Sequence, residues 1–301
     1  MRVAVTGATG FVGTALVDAL VRRGYSVRAG IRGPAPHRPD VEYFVYGDLA
    51  NEVDWGGFVA GMHRVIHLAG IAHTDGVPGR LYDQVNIRQT AALAAAANAA
   101  GVERLIFMSS VRAQVGPCAT EVIHEHRPPA PTDDYGRSKL AAELAIAHSS
   151  VPFVILRPVL IYGPGVKGNL AALRRIAKAN LPLPFGAVTS RRSLCSLEKL
   201  IDAIELALIN QHARGGTYLV ADVAPLTLGE IVQALRAGGS RGPIQLPVPP
   251  WILKLGLTLV GRRDIWDRLG GNLIVDPSRL AALGWRPGES IAGLKQIRDE
   301  R

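Results

Sequence analysis

The stretch Thr6-Gly7-Ala8-Thr9-Gly10-Phe11-Val12-Gly13, TGATGFVG in one-letter code, sets three evenly spaced glycines directly after the apolar run RVAVT. Glycine serves where a turn needs unusual dihedrals or where a partner must come close to the backbone, and elsewhere it costs chain entropy. Followed by the helical pattern FVGTALVDALV, the run predicts a strand, a tight turn and a helix whose N-terminus can receive a phosphate. Taken alone, the spacing GxxGxxG leaves a ligand-free tight turn open, because it differs from the better-known GxGxxG.

Outward from this stretch, β-branched apolar runs alternate with Ala/Leu-rich segments of helical period. The runs are SVRAGIR, VEYFVYGD, RVIHLAG, RLIFMSSV and PFVILRPVLIYG, with RQTAALAAAANAAG and YGRSKLAAELAIAHS among the helical segments. Strands separated by helices of this length imply an α/β fold: a doubly wound parallel sheet with helices on both faces. From Gly163 the texture turns loop-like (GPGVKGN, LPLPFGA), then resumes with a helix at LEKLIDAIELALIN and a strand at GTYLVAD. We expect a dinucleotide-binding domain from 1–163 and 193–222, and a smaller mixed α/β substrate domain from 164–192 and 223–301. The tail LAALGWRPGESIAGLKQI reads as a helix end, a turn and a further helix.

Hydrophobic residues make up 48% of the 301 and charged residues 20%, which excludes a disordered chain. The formal charge of +9 comes with only 6% aromatics and scattered arginines, so it reads as anion-binding arginines plus a solvated surface and not as a nucleic-acid footprint. Cys118 and Cys195 lie far apart without ligand spacing, so neither a disulfide framework nor a metal site is expected, and a reduced, cytoplasmic setting follows. The N-terminal apolar run is too short for a signal peptide. Within PPWILKLGLTLVGRR (Pro249–Arg263), Lys254 interrupts an apolar stretch well short of the roughly 20 residues a membrane span needs. We expect Trp251–Val260 to be a packed helix of the small domain, unless it makes a peripheral contact with a membrane surface.

Beyond the glycines, the second strand ends in AGIRG, with Arg32 where an NAD site would carry an acid and an NADP site can carry an arginine for the 2′-phosphate. NADP(H) is therefore favoured over NAD(H), unless Arg32 is simply a solvated strand-end charge. Asp48, in YGDL, can reach an adenine amine or cap its own loop. In YGRSK, Tyr135 and Lys139 stand one turn apart on one helix face, where an ammonium and cofactor charge are expected to lower the phenol's high proton affinity. Ser110, ending the strand RLIFMSSV, is placed to hydrogen-bond the reacting oxygen; Ser109 is expected to cap or pack.

The ordered set TGATGFVG, GDL, HLAG, VNxxxT (Val85–Thr90), SSV, YGRSK and LRPVLIYGPG resembles the extended short-chain dehydrogenase/reductase superfamily over nearly the whole chain. The resemblance implies a Rossmann domain with Ser110, Tyr135 and Lys139 as the catalytic centre. It adds Gly7, Thr9, Gly10, Phe11, Val12, Leu49, Leu68, Ala69, Gly70 and Pro158 as cofactor contacts, lets His67 line the cofactor, and puts Asn86 near the diphosphate or a proton-path water. GPGVKGNL, LPLPFGA and SRRSLCSLEKL resemble substrate segments of UDP-sugar 4-epimerases and 4-reductases. On that likeness Asn169 contacts the diphosphate, Phe185 flanks the uracil and Arg192 grips phosphate through its planar fork.

The same resemblance implies hydride exchange at C4 of a nucleotide-linked, most simply UDP-linked, sugar by a homodimer. Val111 and Arg112 stand where sugar 4,6-dehydratases carry an Asp-Glu pair, which disfavours elimination chemistry. Arg32 leans toward a 4-keto-sugar reductase and the family at large toward an epimerase. The same residues are also compatible with a polyprenyl-diphosphate-linked sugar as substrate, and with a non-catalytic dinucleotide sensor that has kept the fold.

Overall fold

A computed structural model describes residues 1–34, 38–72, 76–166, 168–178, 182–236, 245–259, 261, 266 and 270–296, without the side chains of 168, 169, 178 and 296. In chain order the first half runs β1 (Arg2–Thr6), α1 (Phe11–Arg22), β2 (Ser26–Ile31), β3 (Glu42–Val45), α2 (Trp55–Val59), β4 (Arg64–His67) and α3 (Gly79–Tyr82). A π-helical segment (Asp83–Arg88) then leads into α4 (Gln89–Ala99), β5 (Arg104–Met108), a single tight turn (Val111–Ala113), α5 (Asp134–His148) and β6 (Phe153–Pro158). The second half adds β7 (Leu160–Tyr162), α6 (Gly168–Lys178), β8 (Arg191–Arg192), β9 (Leu194–Ser196), α7 (Leu197–Ile209), β10 (Thr217–Val220), β11 (Leu226–Thr227), α8 (Leu228–Arg236), α9 (Pro250–Leu259), α10 (Ser278–Ala281) and α11 (Ser290–Gln296).

Seven strands form one sheet in the order β10-β6-β5-β4-β1-β2-β3, and every neighbouring pair is parallel. This is the expected doubly wound α/β arrangement. Strands covered on both faces need no alternation, and β4 and β5 are buried along their whole length. The edge strand β3 is only partly covered. One face is closed by Leu16 and Leu20 of α1 with Leu200 and Ile204 of α7, the other by Trp55 and Phe58 of α2, Leu93 and Ala97 of α4, and Ala142 and Ile146 of α5. The strand order switches sides between β1 and β4, and in such a sheet this switch leaves a crevice at the carboxyl ends of the strands.

Buried arginines at strand starts hold helix ends. The Arg104 guanidinium, 1% exposed, donates to the carbonyls of Ala207, Leu208 and Asn210 and to Gln211, closing the C-terminus of α7 where positive charge is favoured. Arg28 does the same for α2 through Gly57, Phe58 and Ala60 while pairing with Glu42.

A separate cluster of Tyr162, Leu170, Leu173, Leu183, Leu228, Ile231, Val232 and Leu294 forms a C-terminal layer. PFVILRPVLIYG, which reads as one strand, is two: β6 stays in the large sheet, and β7 pairs with β9. The packed helix expected at Trp251–Val260 is corrected. α9 has no buried residue, and Trp251 is 66% and Leu259 79% exposed; its apolar residues fall on more sides than the single face that Leu253 turns to the C-terminal cluster. Among the described residues no helix is long and apolar enough to cross a membrane.

Candidate active site

The glycine turn is built for close approach. Gly7 has φ +66°, and a Cβ there would lie 2.9 Å from the Ala69 nitrogen; a Cβ on Gly13 would lie 2.1 Å from the Gly7 carbonyl. No side chain caps the N-terminus of α1 at Gly10, so the cradle suits a dinucleotide's phosphates, with Thr9 exposed and Phe11 and Val12 half-buried at its rim. The Gly7 N–H donates to the Tyr46 hydroxyl (3.1 Å), a contact that sequence reasoning missed because a tyrosine after an edge strand carries no motif.

The floor of the crevice is a buried hydrogen-bonded chain. The Thr6 hydroxyl accepts from the N–H groups of Leu68 and Ala69 at 3.1 Å each. Thr6 and Thr90 occupy both ring nitrogens of His67, at 2.7 and 2.9 Å. The Thr90 hydroxyl donates to the Asn86 carbonyl, so His67 donates from Nε2 and accepts at Nδ1. Burial, aided by the Lys139 charge, pushes its pKa down to about 3. The expectation that His67 lines the cofactor is corrected: the ring is fully buried and neutral, a core group that fixes the β1 and β4 ends. Asn86, expected near the diphosphate, likewise has its amide engaged, accepting from the Ile71 N–H and donating to the Ile71 carbonyl and Ser138.

Helix α5 begins at Asp133, whose carboxylate accepts from the Gly136 N–H at 2.6 Å. Ser110, at the end of β5, hydrogen-bonds the Tyr135 phenol and also accepts from the Arg112 N–H at 3.1 Å. One turn on, Lys139 donates from Nζ to the Met108 carbonyl (3.0 Å) and lies 4.9 Å from the Phe107 ring centre. A Cβ on Gly70 would come 3.5 Å from the Lys139 Nζ, which ties the segment after β4 to this group. Ser110, Tyr135, Lys139, Gly70 and the glycine turn thus gather at the carboxyl ends of β1, β4 and β5.

The electrostatics differ from the sequence expectation. Burial pushes the Tyr135 phenol up to about 12, with Asp133 and Tyr82 pushing the same way and Ser110 and Arg112 opposing. Burial brings Lys139 down to about 8, resisted by Glu143. The expected lowering of the phenol by Lys139 is not among these influences: burial dominates, and Ser110 and Arg112 are the groups that favour the phenolate.

Beneath Lys139, a buried network went unread in the sequence. Glu143 accepts from Ser109 and from Arg157 (Nε at 2.9 Å, Nη2 at 2.5 Å), and Arg157 donates to Gln114 at 3.0 Å. Glu143 stands one turn after Lys139 in YGRSKLAAE, and that spacing was the signal that could have found it. Ser109 packs and hydrogen-bonds inward, as expected.

The remaining candidates scatter. Arg32 is exposed at the end of β2, and Asp48 accepts from the Ala50 N–H at 2.9 Å, as a loop cap does. Leu49 and Pro158 are buried. Arg192 donates to the carbonyls of Gly271 and Pro117, both at 2.8 Å, and burial brings its pKa down to about 10. Phe185 packs half-buried on the C-terminal cluster, and the Asn169 assignment falls outside the described residues.

The family model described as "NAD dependent epimerase/dehydratase family" matches residues 3–221. A Vibrio cholerae protein described as UDP-glucose 4-epimerase is 39% identical over 310 aligned residues, covering 97% of this chain and 93% of its own. A protein of Escherichia coli O157:H7 described as N-acetyl-α-D-glucosaminyl-diphospho-ditrans,octacis-undecaprenol 4-epimerase is 27% identical, covering 76% of this chain and 70% of its own. Among solved structures, MoeE5 in complex with UDP-glucuronic acid and NAD superposes with a TM-score of 0.80 at 24% identity, covering 99% and 97% of the two chains.

Proposed function

Because the chain belongs to the NAD-dependent epimerase/dehydratase family, we propose that it moves a hydride at C4 of a UDP-hexose or UDP-N-acetylhexosamine and acts as a 4-epimerase. The hydrogen bond joining Ser110 to Tyr135, one helical turn from Lys139, carries this reading. Tyr135 takes the proton of the C4 hydroxyl, Ser110 orients that oxygen, and Lys139 supplies positive charge below the phenol. The chemistry supplied by a bound nicotinamide is acceptance of the hydride and its return. Gly7, Gly10 and Gly13 would hold the dinucleotide's phosphates and Arg192 an anionic group of the substrate, with residues 1–163 and 193–222 forming the cofactor half and 164–192 and 223–301 the substrate half of a cytoplasmic homodimer.

Interconversion of UDP-glucose and UDP-galactose, or of their N-acetylhexosamine counterparts, without net change in nicotinamide absorbance is the expected result. Tyr135→Phe abolishes it while dinucleotide binding persists. Net consumption of NADPH with a UDP-4-keto sugar would instead establish the reductase, the reading that Arg32 favours. For the cofactor, Arg32 supports NADP(H), whereas the MoeE5 structure contains NAD; parallel titrations with both dinucleotides decide.

A second substrate class is favoured by one observation, the exposed apolar residues Trp251, Ile252, Leu255 and Leu259 of α9. Together with the undecaprenol-linked substrate in the description of the E. coli relative, they support a polyprenyl-diphosphate sugar presented at a membrane surface. Co-sedimentation with anionic liposomes, lost in Trp251→Ser/Leu255→Ser, tests it.

A further inference from the structure

The two segments that carry Ser110 and Tyr135 come from different parts of the chain, and an ion pair beside that hydrogen bond also links them. Arg112 belongs to the turn directly after Ser110, and its backbone N–H donates to the Ser110 hydroxyl. Its guanidinium forms an ion pair with Asp133, which caps α5 and stands two residues before Tyr135. The contact is intimate at the backbone too: a Cβ on Gly136 would lie 2.2 Å from the Arg112 carbonyl. Arg112 is 14% and Asp133 26% exposed at the side chain, so water screens the pair only partly.

We propose that Arg112 and Asp133 are a positioning pair: their ion bridge fixes the Ser110 hydroxyl against the Tyr135 phenol and makes the local charge around that phenol balanced. This rests on the functional reading of Ser110 and Tyr135 above. An isolated positive or negative charge at this place would move the phenol's acidity, whereas the bridge holds it between the two extremes. Arg112 favours the phenolate and Asp133 opposes it. Among the described residues, the other groups acting on the phenol are Ser110 from the end of β5 and Tyr82 from α3, with ring centres 6.2 Å apart, while Lys139 follows one turn later on α5 with its Nζ bonded to the Met108 carbonyl. Asp134 and Arg137, on the outer side of α5, pair with each other and are more than half exposed.

The pair therefore makes a prediction with opposite signs. Arg112→Met removes the positive charge that favours the phenolate and raises the titration midpoint of Tyr135. Asp133→Asn keeps a side-chain oxygen to cap Gly136 but leaves Arg112 uncompensated, and lowers the midpoint. Each shift is on the order of one pH unit, and the double variant returns close to the wild-type value. The readout is tyrosinate absorbance during alkaline titration, taken for each protein as the difference from the same protein carrying Tyr135→Phe, so that the other tyrosines cancel. The acidic limb of kcat against pH, measured on the UDP-sugar, moves in the same two directions while KM changes little. Shifts of the same sign, or no shift in either variant at wild-type melting temperature, overturn the proposal. A protein that turns over no UDP-sugar would sink the functional reading alone, because the absorbance titration needs no turnover.

Discussion

Replacing Glu143 by Gln tests how far the candidate site depends on the charge buried beneath it. The carboxylate is 5% and its partner Arg157 6% exposed at the side chain, and two oxygens serve the Arg157 fork and the Ser109 hydroxyl. A glutamine offers one acceptor oxygen and turns an N–H toward donors, leaving the Arg157 charge buried and unmatched. Breaking a buried pair from one side costs about 3–5 kcal/mol, which for a chain of this size is a fall in melting temperature of roughly 5–8 °C. A second consequence follows for Lys139. Its pKa, brought to about 8 by burial, is held up by Glu143, so Glu143→Gln lowers it further, and the alkaline limb of kcat/KM moves toward neutral pH. Arg157→Met costs comparable stability yet keeps the carboxylate, so that limb does not move toward acid. Differential scanning calorimetry and the pH profile of UDP-sugar turnover read the two effects separately. A Glu143→Gln protein that melts within about 1 kcal/mol of wild type, with its alkaline limb in place, would refute the argument.

Gly13→Ala drives a methyl group into the Gly7 carbonyl and is expected to abolish dinucleotide binding, measured by fluorescence titration, while the circular dichroism of the fold persists. Arg32→Glu is expected to reduce NADPH affinity about tenfold relative to NADH, as removal of a phosphate-binding charge should. His67 has a folded pKa near 3, below its ordinary 6.5, so the unfolded chain binds one more proton between those values. Stability should fall as pH drops through that window, by about 1.4 kcal/mol per pH unit from this group. Urea midpoints from pH 4 to 7 show the slope, and His67→Gln should lessen it.

The sheet was legible in the sequence because strands buried on both faces must be continuous apolar runs, and RVIH and RLIFM can hardly be anything else. Ser110, Tyr135 and Lys139 stand out by motif, and the structure joins Ser110 to Tyr135 one helical turn from Lys139. The supporting groups do not stand out. Glu143 and Arg157 read as ordinary charges on a helix and a strand, and only the tertiary contact between α5 and β6 makes them a buried pair. His67 shows the reverse error: a polar residue inside a motif suggests ligand contact, yet Thr6 and Thr90 occupy both nitrogens of a fully buried ring. The exposure of α9 was hidden because an apolar helical segment looks the same in sequence whether or not anything covers it.

The split of PFVILRPVLIYG into two strands sets how the C-terminal layer is attached. β6 lies in the large sheet beside β5, and after Val159 the same chain enters β7, whose partner β9 runs straight into α7 on the back of that sheet. The C-terminal layer is thus stitched to the sheet on both sides of a single residue, with Tyr162 donating a further hydrogen bond to Asp222 at 2.6 Å. A layer hung this way rides on the chain that builds the sheet, so any displacement of β6 passes to it through one residue.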